Sequence, residues 1–499
     1  SPERSSAVSI LWRGSKALFK GSNAAGQALG QSLHMGLLNN MLSPSRRSRK
    51  RGILVPGDGP PSGSLGSFLD YREVLSSRQV APLRDGPFSI GRIQDPGEDS
   101  PSFAIGLDWG HIAQHVAVVG PAGTGKTFNI FAPWTVAASR QKLGVVAVDV
   151  KGEFLQEIAA ARKRIGDNSK FRYFRWDVKE PAISRSWNPL SEVSSKNDAI
   201  QLAMAFLGRV DPNDHQKYFA ERDHRWLAGL VWLTVEAYGS GTHPDTLYVM
   251  TVRQSELIRA AQIAPAAALD IADLLQLPAQ DFSQATSGLA NRLSWLSDPA
   301  LSAMLAGTGP RAMTLDNVLD QQAVLIVGCR ASDGARSPIA AALMLNAMRL
   351  RVLDSFAGGQ VPLLWILDEA NRYADRIELD VMLDLMRGAS SPVCVGLQDV
   401  TQLGDKDEQS RYLANCDALL TLAGSSHAAA TFLSERLGTV QAATVTKSID
   451  PHGRWVPTVS HQATNVLGER EIMHPPVGQR GGTAHLRSSS PHPFLFSFQ

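Results

Sequence analysis

The sequence predicts an α/β fold: a central, mostly parallel sheet covered by helices on both faces, with an all-helical segment inserted between two of its strands. Two observations carry this. Short, largely apolar runs recur at residues 116–119, 145–148, 323–327, 363–367, 392–397 and 419–422, with helical stretches between them. Continuous apolar strands separated by helices imply a parallel sheet buried on both faces. Between residues 191 and 310 the strand signal disappears. There, residues 216–238, 246–263, 266–277 and 282–296 read as helices, several with apolar positions at i, i+3 and i+4.

The chain opens on an arm and linker, residues 1–64. Over residues 1–52 it has nine Lys/Arg against the single Glu3, although the formal charge of all 499 residues is only +2. A weakly helical stretch at 10–42 leads into the basic run 46–51, then into a Gly/Pro/Ser-rich linker at 57–66. Such an arm suits the phosphates of lipid or nucleic acid. No run reaches the roughly 18–20 apolar residues of a membrane helix, and no signal peptide is visible. The first residue is Ser, so an anchor before Ser1 stays open. Cys329, Cys394 and Cys416 lie in or beside apolar runs without metal-ligand spacing, and are expected as buried, reduced thiols of a cytosolic protein.

The first apolar run ends in Gly120, Pro121, Ala122, Gly123, Thr124, Gly125, Lys126 and Thr127, followed by a helical segment at 126–140. These residues match G-x-x-x-x-G-K-[ST] at every specified position. Glycines let the backbone wrap phosphates, so that N–H groups and the helix amino terminus face negative charge. Lys126 should reach the β- and γ-phosphates and Thr127 should place its hydroxyl on Mg²⁺, which makes Mg-ATP the expected ligand. A second run delivers Asp368 and Glu369 at the carboxyl end of a buried strand, where open α/β sheets bind ligands. Asp368 is expected to hold the Mg²⁺ shell through water, and Glu369 to orient and deprotonate the attacking water. Arg387 ends the next helix and Gln398 ends the next strand. A Gln there can report loss of the γ-phosphate. An Arg can neutralise transition-state charge, often across a subunit boundary, or can simply complement its helix dipole. The nucleotide-binding domain thus spans 65–190 and 311–499. Its insertion, 191–310, has eight Lys/Arg against thirteen Asp/Glu, which favours a docking surface or lid over a phosphate groove.

Taken together, these segments resemble the VirD4/TraG family of type IV coupling proteins, relatives of the FtsK and HerA DNA-pumping ATPases. The strand ending in Asp149, with Lys151, Gly152 and Glu153, resembles the family's Asp-x-Lys-Gly-Glu. Trp187, Asn188, Pro189 and Leu190 resemble its Phe-Asn-Pro-Leu signature. Asp368 and Glu369, then Arg387 with Gly388, then Gln398 follow its register, and residues 63–91 resemble its lead-in. The resemblance implies a RecA-like P-loop domain with an inserted all-α domain. It also implies ring hexamers with ATP at subunit interfaces, Arg387 acting in trans, and Asp149 and Lys151 near the nucleotide. Its implied partners are DNA, relaxase–DNA or effector-protein cargo and secretion-channel subunits, at the cytoplasmic face of the bacterial inner membrane. Members usually carry two amino-terminal membrane helices. None is seen here, so they either precede Ser1 or are replaced by tethering through another subunit or the basic arm. Two other readings remain: a soluble FtsK/HerA-like DNA translocase in segregation, repair or defence, and a substrate-docking receptor whose assembly nucleotide controls.

Overall fold

The computed structural model describes residues 86–93, 103–210, 215–356, 362–449, 453, 455–475, 480–487 and 493–498. The arm and linker, with their basic run, lie outside the described residues. Residues 63–444 and 460–499 belong to one compact unit, and apart from residues 445–449 and 455–459 of a two-stranded sheet the description concerns that unit.

Among the described residues, eleven strands form one sheet. In chain order they are β1 (Phe88–Ile93), β2 (Phe103–Leu107), β3 (Val116–Val119), β4 (Gly144–Asp149), β5 (Tyr173–Trp176), β6 (Val324–Gly328), β7 (Leu363–Leu367), β8 (Val393–Leu397), β9 (Ala418–Leu422), β12 (Gly481–Leu486) and β13 (Phe494–Ser497). The intervening β10 (Thr439–Ile449) and β11 (Trp455–Asn465) form a two-stranded sheet. The large sheet runs β2-β1-β13-β12-β9-β3-β8-β7-β4-β6-β5. From β9 to β5 all neighbours are parallel. The other four strands extend it antiparallel beyond β9.

The six apolar runs predicted as strands are strands, because side chains of both parities are buried. Ala117 and Val119 face one core, and Val116 and Val118 face the other. The first core is continuous from that face of the sheet into the helical insertion, through Trp176, Phe206, Leu230 and Leu289. The second packs Ile130, Trp134 and Phe154 against the opposite face. The edge strand β5 escapes the apolar criterion because its residues alternate. Tyr173 is exposed while Phe174 and Trp176 are buried. Three of the antiparallel strands, β1, β2 and β12, escape it through their glycines. At Gly482 a side chain would come within 2.3 Å of Thr421 O, so strand pairing there demands the residue that weakens the strand signal.

Helices cover the sheet as the periodicity predicts, with breaks. Lys126–Phe131 is a π-helical turn that continues as the α-helix Ala132–Arg140. In the insertion Lys217–Tyr238 is one long helix. The stretch predicted as one helix at 246–263 breaks at Arg253, whose extended φ and ψ separate Asp245–Val252 from Gln254–Ile263. No helix among the described residues is long and apolar enough to cross a membrane.

Candidate nucleotide site

The strand order explains the site. β8 lies between β3 and β7, so the carboxyl ends of three adjacent parallel strands place Gly120, Gln398 and Asp368 side by side. After β3 the loop turns through Gly123 (φ 81°) and Gly125 (φ 85°) into the helix that starts at Lys126. At Gly125 a side chain would be strained and would also meet Asn129 Nδ2 at 2.3 Å. Thr124 Oγ1 donates to Pro121 O at 2.8 Å. Buried Lys126 donates to the carbonyl oxygens of Gly120 and Pro121. Burial lowers the pKa of its ammonium. Asp368 and Glu369 pull it back up, and Lys151 pushes it further down.

Across the loop, Thr127 Oγ1 donates to Asp368 Oδ2 at 3.0 Å. Gly396 in β8 makes room for this carboxylate, since a side chain there would come within 2.8 Å of Asp368 Oδ1. Burial raises the pKa of Asp368, and the charge of Lys126 and the hydroxyl of Thr127 oppose that rise. Glu369 adopts a left-handed conformation (φ 47°, ψ 49°), which costs a non-glycine residue about 1–2 kcal/mol. This turn sends its carboxylate towards β8, where Gln398 Nε2 donates to Glu369 Oε1 at 2.9 Å. Tyr373 is wholly buried beneath the turn and its hydroxyl donates to Asp368 O at 3.0 Å. The structure thus brings together Thr127, Asp368, Glu369 and Gln398. Glycines at positive φ, a buried lysine and a hydroxyl meeting a carboxylate fit a magnesium–nucleotide complex.

Residues 84–476 match the family described as Type IV secretory system Conjugative DNA transfer. The chain belongs to this family. Among solved structures it is similar to the unbound bacterial conjugative coupling protein TrwBdeltaN70, at 15% identity and a TM-score of 0.62, over 84% of this chain and 91% of that one. It is likewise similar to plasmid coupling protein TrwB with a non-hydrolysable ATP analogue (15% identity, TM-score 0.61, 89% and 96% covered) and with ADP and Mg²⁺ (15%, 0.59, 85% and 91%). At this identity the likeness is one of fold, and the fold is the RecA-like P-loop architecture. No curated protein gives a significant match.

Three predicted residues of this family member sit differently from the central four. Asp149 ends β4 and accepts from the N–H of Gly152 (2.5 Å) and of Phe154 (3.4 Å). Its carboxylate therefore shapes the loop that presents Lys151, and both residues line a small cleft with Thr127, Glu153 and Asp368. Arg387 is not near the P-loop of its own chain. The helix Leu379–Gly388 runs back along the sheet, and Arg387 Nη2 donates to Gln114 Oε1 at 2.9 Å, before the start of β3. The sequence reading overlooked Arg330, which is buried two residues beyond β6. It donates to Asp177 Oδ2 (2.8 Å), Lys151 O (2.6 Å) and Glu180 Oε1 (3.1 Å). Gly152 is required beside it, because a side chain there would overlap its guanidinium. The available signal was an arginine just past the carboxyl end of a buried strand, the position that also carries Asp149, Asp368 and Gln398. The three cysteines are free and buried, and burial pushes the Cys329 thiol to about 11 and that of Cys416 to about 12.

Proposed function

We propose that this chain is an ATP-hydrolysing coupling protein that recruits DNA, relaxase–DNA or protein cargo to a type IV secretion or conjugation channel and drives its transfer. The observation that carries hydrolysis is the hydrogen-bonded line Thr127–Asp368, Glu369–Gln398 across three adjacent strand ends. The loop from Gly120 to Thr127 binds the phosphates, with Lys126 leaving its carbonyl partners for the β- and γ-oxygens. Thr127 and Asp368 would hold Mg²⁺, which would neutralise phosphate charge. Glu369 accepts the proton of the attacking water, and Gln398 holds the carboxylate in place. Arg387, presented at the amino-terminal ends of the central strands, serves a neighbouring subunit of a homo-hexamer, where its planar fork meets charge on the transferred phosphoryl group. The helical insertion contacts cargo. Association with the cytoplasmic membrane face through the arm, a partner subunit or an upstream anchor completes the proposal.

Steady-state ATP turnover with and without single-stranded DNA tests it. Magnesium-dependent turnover that DNA raises, and that Glu369→Gln abolishes, is the expected result. Absence of turnover in the assembled wild-type protein overturns the reading.

A further inference from the structure

The segment from Glu369 to Arg387 carries both the proposed water-activating carboxylate and the proposed trans-acting guanidinium, and it is anchored to the helical insertion by charge. Arg209, just beyond the insertion helix Lys196–Leu207, forms a fork–fork pair with Asp380: Nη1 to Oδ2 and Nη2 to Oδ1, both at 3.0 Å. Its Nη2 also lies 3.8 Å from Glu378 Oε1. Asp380 is in the first turn of the helix that ends in Arg387, and Glu378 is the residue immediately before that helix. Arg376 reaches the other way, donating to the carbonyls of Ala205 (3.4 Å) and Phe206 (2.5 Å) at the end of the insertion helix. Arg349, almost fully buried, ties the middle by donating to Ile377 O (3.2 Å), Glu378 Oε2 (3.4 Å) and, within the insertion, Gln201 Oε1 (2.8 Å).

Two features make these contacts more than packing. Glu369 and Glu378, which bracket the turn between β7 and the helix, both hold left-handed conformations (φ 47° and 48°) that non-glycine residues avoid. Strained residues at both ends of a short segment persist only where surrounding contacts over-determine them. At Glu378 they come from Arg209 of the insertion and from Arg349, and at Glu369 from Gln398 and Arg372. A bidentate arginine–carboxylate pair also fixes orientation, where a lone lysine charge would not. Asp380 is only 12% exposed at its side chain. Burial would raise its pKa, but the hydrogen bond and charge of Arg209 outweigh burial and hold it below the usual carboxylate range. Arg411 adds a weaker contact from the solvent side, 3.6 Å from Asp380 Oδ2.

We propose that Arg209 is a positioning residue that couples the helical insertion to ATP turnover, by holding the segment between Glu369 and Arg387 through its fork on Asp380. The proposal rests on the catalytic roles given above. Occupancy of the insertion and closure of the nucleotide site then bias one shared element, and the coupling acts in both directions.

The test uses the full chain and two independent readouts. In steady-state ATP turnover, Arg209→Gln is expected to lower kcat at least about fivefold with KM within about twofold, since the P-loop is untouched. Arg209→Lys, which keeps charge but loses the fork, should fall between. Arg209→Gln/Asp380→Asn should be no worse than the worse single variant. In hydrogen exchange, Mg²⁺ with a non-hydrolysable ATP analogue should alter protection in residues 196–207 of the wild type, and this response should vanish in Arg209→Gln. Unchanged kcat together with an unchanged exchange response overturns the coupling, as does a wild type whose insertion never responds to the analogue. A wild type that fails to turn over ATP but transmits the response through Arg209 overturns the hydrolytic role and leaves the coupling standing. A variant that only loses thermal stability, with kcat per folded protein unchanged, assigns Arg209 to structure and overturns the proposal.

Discussion

Gln398 Nε2 donates a hydrogen bond of 2.9 Å to Glu369 Oε1, joining the ends of β8 and β7 beside the phosphate loop. The bond occupies one carboxylate oxygen, and the other lies 3.8 Å from Arg372 Nη1. It also links the proposed base to a residue able to respond to a γ-phosphate. Glu369→Gln keeps shape but cannot accept a proton, so turnover is expected to fall by two orders of magnitude or more with ATP affinity within about threefold. Gln398→Ala leaves the carboxylate mobile, and about a tenfold loss in kcat is expected. Single-turnover hydrolysis and equilibrium binding of a fluorescent ATP analogue separate the two effects. Near-normal turnover in Glu369→Gln would move the base elsewhere.

The two phosphate-loop glycines at positive φ are expected to behave differently. A side chain at Gly123 meets nothing within 4 Å, whereas at Gly125 it meets Asn129 Nδ2 at 2.3 Å. Gly123→Ala then carries backbone strain alone, about 1–2 kcal/mol, and a loss of nucleotide affinity of about tenfold. Gly125→Ala adds the clash and should lose more. Adding Asn129→Ala should restore part of the Gly125→Ala loss and none of the Gly123→Ala loss. Calorimetric titration with ADP and Mg²⁺ reads all four proteins, and equal losses at both glycines would remove Asn129 from the account.

The loop after β3 and the strand end that carries Asp368 and Glu369 were legible in the sequence because each is local: one loop, and one strand with its end. The contacts that join them were not. Gln398 meets Glu369 only because β8 inserts between β3 and β7, and strand order cannot be read from apolar periodicity. Arg330 reaches Lys151 O across 179 residues of chain for the same reason. The insertion was visible as missing strands, but Arg209–Asp380 was not, since an arginine after a helix reads as an ordinary solvated charge.

His115 sets an acid limit on the fold. Val393 N–H donates to its Nδ1 at 3.0 Å, so the ring proton lies on Nε2, which donates to Leu383 O at 2.7 Å. Burial pushes its pKa from the ordinary 6.5 down to about 4. The Leu383 contact opposes that fall, and the charge of Arg387 assists it. Below about 6.5 the unfolded chain takes up a proton that the folded chain refuses until about 4. This contribution to stability is therefore fully present above pH 6.5 and is lost as pH falls towards 4, amounting to about 3 kcal/mol over the window. Between pH 7.5 and 5 the urea midpoint of the wild type should drop more than that of His115→Gln. Parallel midpoints in both proteins would show that His115 does not set the slope.

Arg387 is expected to act on ATP held by the next subunit. Within one chain it hydrogen-bonds Gln114 before β3, while the phosphate loop follows β3. The four residues of that strand alone separate the two by about 13 Å. The side chain is exposed at the end of its helix, and the helix is fixed to the base of β3 by the His115 contact with Leu383. Each subunit thus presents its arginine at the start of the strand whose other end carries its own phosphate loop. Turnover per subunit should rise with protein concentration as rings form, because an isolated subunit has half a site. Arg387→Ala should remove that rise and spare nucleotide binding. The deciding measurement mixes Arg387→Ala with Lys126→Ala, each inactive alone, under assembling conditions. Where an intact phosphate loop meets an intact arginine, activity should partly return. If both variants assemble, mixing restores nothing and wild-type turnover is independent of concentration, Arg387 serves only to complement the carboxyl end of its own helix.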